Sequence, residues 1–300
     1  MLPADQAEGL RRLLVRAAAH VVTVAGARAG LGATSVVVNL AAALAQAGKD
    51  VLVLDENLAH DNVGNMLALK PRYDLLNAVR RDKTWREIML HTQQGVRVLP
   101  VARAIQALPQ LAAVERERLL ECLAEASHGM DLVLVDAAAR EGGLISSSLA
   151  PEQPLLLVLN ATASAITESY ALIKRMALRD GRQSFEVVVN KARDADEAQT
   201  VFGNVAQVAR RHLQARVEYL GYIPLDEKLK RATQLCRPVL EVFPAAQSAL
   251  AFGELGRKLM LSPAAGNGEA GGLPDVVQRL MRQARSPNMA HEIACRSDQA

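Results

Sequence analysis

The chain has 300 residues, half of them apolar and only 3% aromatic, and its 35 Lys and Arg against 32 Asp and Glu leave a formal charge of +3. That length points to a single α/β domain with extra segments. The near-neutral balance gives no field to steer the chain toward DNA, and so few rings exclude a stacking platform for single-stranded nucleic acid.

Residues 3–19 read as a helix capped near Asp5, with Leu10, Leu13 and Leu14 on one side. From residue 20 onward, short β-branched runs at 20–24, 51–54, 96–101, 132–135, 155–159, 185–189 and 217–220 alternate with amphipathic stretches such as 35–47, 114–126, 165–179 and 198–213. Apolar strands joined by helices predict an α/β fold, a doubly wound and mainly parallel sheet. Ligands of such sheets sit at the carboxyl ends of the strands. Residues 262–272 are rich in Pro, Ala, Gly and Asn and read as a linker, followed by a short amphipathic pattern at 273–285. The expected organisation is an N-terminal helix (1–19), an α/β domain (20–261) and a tail (262–300).

Cys122, Cys236 and Cys295 are odd in number and far apart, which excludes a disulfide framework and a CxxC metal site. No apolar run approaches the roughly 18–20 residues that span a bilayer. The start of the chain lacks a basic-then-apolar leader, so the expected compartment is the cytoplasm. The six histidines show no metal-ligand spacing.

The first strand runs into Gly26-Ala27-Arg28-Ala29-Gly30-Leu31-Gly32-Ala33-Thr34-Ser35 ahead of a helix. Glycines at a strand-to-helix turn let the backbone approach an anion, and the helix N-terminus aims its amides at it. Arg28, Ala29, Gly30, Leu31, Gly32, Ala33, Thr34 and Ser35 are therefore the candidate phosphate-binding residues; the plain alternative is a tight turn without a ligand. Two nucleotide patterns compete. A P-loop, G-x-x-x-x-G-K-[ST], needs a lysine where Ala33 stands, although Thr34 and Ser35 supply hydroxyls. The short-chain dehydrogenase pattern G-x-x-x-G-x-G is met by Gly26, Gly30 and Gly32, with Asp55 for a ribose and Tyr170 and Lys174 in Y-x-x-x-K spacing. That second pattern lacks a serine or threonine in the stretch 155–159, and an i, i+4 pair on an amphipathic helix is ordinary surface spacing.

From about residue 20 to 260 the chain resembles the MinD/ParA group of deviant Walker ATPases. Residues 27–34 lie over the loop G-K-G-G-x-G-K-T, and 36–45 are similar to T-T-x-N-L-A-x-A-L-A. Asp55-Glu56-Asn57, with Asn62, resembles the first switch, D-x-D-x-G-x-x-N. Residues 131–136 are similar to the Walker B strand, with Asp136 in the acidic position, and Val189-Asn190-Lys191 is similar to an adenine-contacting turn. The resemblance implies ATP or ADP with Mg2+, held by residues 28–35 and Asn190, with Thr34, Asp55 and Asp136 around the metal and Asn57 and Asp136 at the catalytic positions. The departures fall on the catalytic groups: the signature lysine is Arg28, the P-loop lysine is Ala33, and the water-positioning aspartate is Asn57. Phosphoryl transfer is mostly positioning and charge stabilisation, so these replacements predict weak or lost hydrolysis.

Asp5-Gln6-Ala7-Glu8-Gly9-Leu10-Arg11 resembles the D-Q-A-x-x-L-R activator motif of the FlhG (YlxH/FleN) family, MinD-like regulators of flagellar number and placement. The resemblance implies that Asp5, Gln6, Ala7, Leu10 and Arg11 engage an FlhF-type GTPase and stimulate its hydrolysis. A flagellar transcription factor and a second copy of the chain are the further partners implied, and no direct nucleic-acid contact is expected. A helix that packs on its own domain through Leu10, Leu13 and Leu14 is the alternative. In the tail, Val277, Leu280 and Met281 beside Arg279 and Arg282 have the chemistry of a peripheral contact with anionic lipid. Two other functions stay open at this point: an active MinD/ParA-type ATPase of cell or chromosome organisation with Arg28 in place of the lysine, and an NAD(P)-dependent short-chain oxidoreductase.

Overall fold

The valine-rich run after residue 19 forms β1 (His20–Gly26), in which Val22 and Val24 face one helical layer while Val21 and Ala25 face the other. Such two-sided burial is what parallel strands with helices on both faces require. The computed structural model describes residues 19–140, 144–145, 154–213 and 215–261. The expected N-terminal activator residues Asp5, Gln6, Ala7, Leu10 and Arg11, and the tail residues Val277, Arg279, Leu280, Met281 and Arg282, lie outside the described residues.

After β1 come α1 (Ala33–Gln46), β2 (Val51–Asp55), the short helices α2 (Val63–Met66), α3 (Leu75–Val79) and α4 (Trp85–Ile88), and then β3 (Leu90–His91) and β4 (Arg97–Pro100). The chain continues with α5 (Ala102–Ala107), α6 (Ala113–Ser127), β5 (Leu132–Asp136), the small ribbon β6 (Ala139–Arg140) and β7 (Leu144–Ile145), β8 (Leu155–Asn160) and α7 (Ala163–Asp180). It closes with β9 (Ser184–Ala192), α8 (Ala195–Leu213), β10 (Arg216–Pro224), α9 (Glu227–Gln234), α10 (Val239–Val242) and α11 (Gln247–Leu261). Each strand expected from the sequence is present. The short helices after β2 escape a periodicity reading because they hold one turn each and start on side-chain caps: Asn62, Asp74 and Thr84 accept from backbone amides at their first turns.

One eight-stranded sheet runs in the order β10-β9-β8-β1-β5-β2-β4-β3, parallel throughout except for β3 against β4. Helices α1 and α11 cover one face; α6, α7 and α8 cover the other. Strand β5 stands between β1 and β2, in register Thr23↔Val135 on one side and Asp55↔Asp136 on the other. The carboxyl ends of β1, β2 and β5 therefore meet at one point, the start of α1.

Asn39 ties this layer together over a sequence distance of 200 residues. Buried on α1, it donates to the Ser35 carbonyl at 2.8 Å and accepts from the Val239 amide of α10 at 2.7 Å. Asn39→Ala strands that buried amide, so the expected loss is about 1–3 kcal/mol of unfolding free energy in denaturant melts.

Candidate functional site

The loop between β1 and α1 owes its path to two glycines in the left-handed region, Gly30 at φ 84° and Gly32 at φ 95°. Gly32 is also required for space: a Cβ there would lie 2.3 Å from Asn190 Nδ2. Asn190 is buried, and its amide donates to the Leu31 carbonyl at 2.9 Å. Its neighbour across the β8–β9 pair, Asn160, donates to the same carbonyl at 3.2 Å and to the Asn190 carbonyl at 3.1 Å when its amide is oriented to satisfy both ends. Lys191 Nζ reaches the Gly30 carbonyl at 3.4 Å. Two strand ends thus clamp the outside of the loop. Helix α1 begins at Gly32 with no side-chain cap and no acidic residue in its first turn, which leaves its N-terminal dipole available to an anion.

On the inner side, Thr34 Oγ1 donates to Asp136 Oδ2 at 2.9 Å, and Asn57 Nδ2 approaches the same hydroxyl at 3.5 Å. Asp55 Oδ1 accepts from the Asn57 amide at 3.1 Å and Oδ2 from the Gly64 amide at 3.2 Å, so this carboxylate organises the segment after β2. Burial pushes the Asp55 carboxyl up to about 6 against the pull of those backbone amides. Burial, followed by repulsion from Asp55, raises Asp136 well above the usual carboxylate range, with the Thr34 hydroxyl opposing.

A cavity of about 330 Å3 opens between these groups. Arg28, Ala29, Gly30, Gly32, Ala33, Thr34 and Ser35 line it from the loop, Asn57 and Asp61 from the segment after β2, Asp136 from the end of β5 and Thr233 from α9. Leu31, Asp55 and Asn190 do not line it. Leu31 is packed in the core, Asp55 serves backbone amides, and Asn190 is turned to the loop backbone rather than outward to a base. Glu168 of α7, which motif reading passes over, forms an ion pair with Arg28 (Nε to Oε2, 2.6 Å). Asn160 also went unnoticed; its one sequence signal is a polar residue closing an otherwise apolar strand.

The donor set suits a magnesium-bound polyphosphate in part. An uncapped helix N-terminus, two left-handed glycines and a hydroxyl paired with a buried carboxylate are what such a ligand needs, and Mg2+ is usually held by one or two protein oxygens together with phosphate oxygens. Among the described residues no group of three or more His, Cys, Asp or Glu is placed to hold a metal without the phosphates. The lysine that neutralises phosphate charge is absent at Ala33, and its methyl lines the cavity instead.

The sequence model of a family described as cellulose biosynthesis protein BcsQ matches residues 19–259. The antiactivator FleN of Pseudomonas aeruginosa is 34% identical over 263 residues, covering 88% of this chain and 94% of that protein. The chain belongs to the FlhG (FleN/YlxH) family of MinD-like proteins. The flagellum site-determining protein YlxH of Helicobacter pylori is 22% identical over 70% of this chain and 71% of its own length. Among solved structures, the septum site-determining protein MinD of Pyrococcus horikoshii, complexed with Mg-ADP, superposes with a TM-score of 0.60 at 20% identity, covering 84% of this chain and all of that one.

The family and the topology together overturn the oxidoreductase alternative. A dinucleotide-binding sheet sets its first two strands side by side, whereas β5 separates β1 from β2 here, so Asp55 stands across β5 from the loop strand. Tyr170 is half-buried and Lys174 exposed on α7, and neither lines the cavity.

Two adjacent buried carboxylates without a cation should weaken the ligand-free fold. A folded-state pKa raised above its unfolded value favours the protonated form, so this site contributes stability at low pH that is lost as pH rises through the raised values. Asp136→Asn keeps an oxygen for Thr34 and removes the charge. In EDTA at pH 8 the variant should melt above the parent chain, by roughly 2–4 °C for each kcal/mol of repulsion relieved, and the gain should shrink toward pH 5.

Proposed function

We propose that this chain is a MinD-like regulator of flagellar number or placement that acts by binding, through an FlhF-type GTPase, and that its own ATP hydrolysis is weak or lost. The observation that carries the reading is its 34% identity along nearly the whole length of FleN, joined to a loop whose architecture is kept while its catalytic charges are not. The Gly30/Gly32 turn and the Thr34–Asp136 pair support retention of a nucleotide or another polyphosphate with Mg2+. When bound, Mg2+ supplies charge neutralisation at the phosphates. Thr34 and Asp136 would hold it, and the backbone of residues 29–35 would cradle the phosphates. Asn57 at the water-positioning place carries an amide, which accepts no proton, and it already faces the Ala59 amide and Thr34. The chain therefore keeps parts that bind and lacks those that lower the barrier.

The N-terminal segment supplies the contact with the GTPase in this reading: Leu10 anchors it, and Gln6 and Arg11 present polar groups to the partner's site. The name antiactivator borne by the P. aeruginosa relative supports a flagellar transcription factor as a second partner. A homodimer and a tail lying on anionic membrane through Val277, Leu280 and Met281, with Arg279 and Arg282 at the headgroups, complete the proposal.

Two measurements follow. In a purified mixture with an FlhF-type GTPase, the chain should stimulate GTP hydrolysis, and Gln6→Ala with Arg11→Ala should remove that stimulation without changing the fold; unchanged stimulation would remove the activator role. Ala33→Lys returns one charge-assisted contact to the loop and should tighten Mg-ADP binding on the order of tenfold in calorimetry.

A further inference from the structure

Arg28 lines the cavity at the loop position where the resembled family carries a lysine, yet two of its nitrogens, Nε and Nη1, face protein oxygens. Its Nε lies 2.6 Å from Glu168 Oε2, and its Nη1 donates to the Ala29 carbonyl at 3.3 Å. The topology brings the two side chains within reach of each other. Strand β8 pairs with β1 in register up to Gly26↔Val158, and α7 follows β8 from its Thr162 cap, so the first turns of α7 rise beside the loop with Glu168 among them. The same guanidinium borders the loop tip, since a Cβ on Gly30 would come within 4.0 Å of Arg28 Nη1.

We propose that Glu168 is the loop's own counter-anion: it holds Arg28 in the ligand-free chain, and a polyphosphate gains that cation only by displacing the carboxylate. The proposal rests on the reading that the loop takes a polyphosphate, and it names the residue that sets how well. A carboxylate oxygen and a phosphate oxygen are both attracted to the guanidinium, so they compete for its Nε side. The two side chains are 47% and 41% exposed, although Glu168 Oε2 itself is buried against Arg28, and an ion pair between side chains this exposed contributes little to folding. Glu168 therefore lowers the loop's affinity without sealing it. A supporting role, in which Glu168 orients Arg28 toward the ligand, makes the opposite prediction: loss of the carboxylate would then weaken binding.

The test uses the full chain, with inorganic pyrophosphate and Mg-ADP as probes, in calorimetric titrations at about 50 and about 300 mM salt. Glu168→Gln keeps the side-chain shape and helix propensity, and an unchanged melting temperature verifies its fold. It should bind pyrophosphate about two- to fivefold more tightly than the parent at low salt. The advantage should fade at high salt, where a freed exposed charge is screened. It should also vanish when Arg28→Ala is added, and Glu168→Asp should restore the parent affinity in part. Equal or weaker binding by Glu168→Gln, or a gain that survives Arg28→Ala, would overturn the proposal. The Ala33→Lys chain separates the two levels. If that chain binds while Glu168→Gln binds no better than the parent, only the counter-anion role fails. If neither binds, the polyphosphate reading of the loop falls and the counter-anion role with it.

Discussion

The hydrogen bond from Thr34 to Asp136 joins the start of α1 to the end of β5, and it exists because β5 lies between β1 and β2. That strand order has several consequences. It sets Asp55 and Asp136 side by side at the carboxyl edge of the sheet and buries both, with Asp136 also lining the cavity. It also places β8, and behind it α7, on the other flank of the glycine loop, which is why Glu168 can reach Arg28. Asn190 and Asn160 hold the loop from outside through the Leu31 carbonyl.

Charge explains what such a site can and cannot do. A magnesium polyphosphate needs cations for the phosphates and carboxylates or hydroxyls for the metal; in the proposed reading Thr34 and Asp136 would serve the metal, and among the described residues Arg28, paired with Glu168, and Lys191 stand at the loop. Buried acids with raised pKa values and no cation are costly in the ligand-free fold. Retaining them alongside an uncapped helix N-terminus fits a site kept for binding. In the proposed reading the replacements at Ala33 and Asn57 would act on transition-state charge and water positioning, the two contributions that separate turnover from binding. A flagellar regulator of the MinD type that works through its partners needs the first property and not the second.

Local pattern carried the fold further than the site. Runs such as 132–135 and 155–159 are apolar on both faces and identify themselves as buried strands, and the glycine cluster after the run 20–24 marks the ligand edge. The strand order is another matter, because nothing near β2 says that β5 will intervene. Asn190 shows the same limit. Its motif position implies contact with a base, and what the pattern does not announce is that its buried amide also holds a carbonyl 159 residues away. Asn39, though it matches the N of the helix motif, and Glu168, in an unremarkable helical stretch, acquire their roles only from partners brought to them by the winding of the chain. The one-turn helices between β2 and β4 depend on caps such as Asp74, which also accepts from the amides of Arg103 and Ala104, a contact no periodicity can announce.

Steady-state ATP hydrolysis by the purified full chain with Mg2+, alone and with an FlhF-type GTPase present, bears most directly on the claim that this family member regulates by binding. The rate should be at most marginally above that of Asp136→Ala under both conditions. Turnover clearly above that variant would show that Arg28 and Asn57 suffice for catalysis and would contradict the claim.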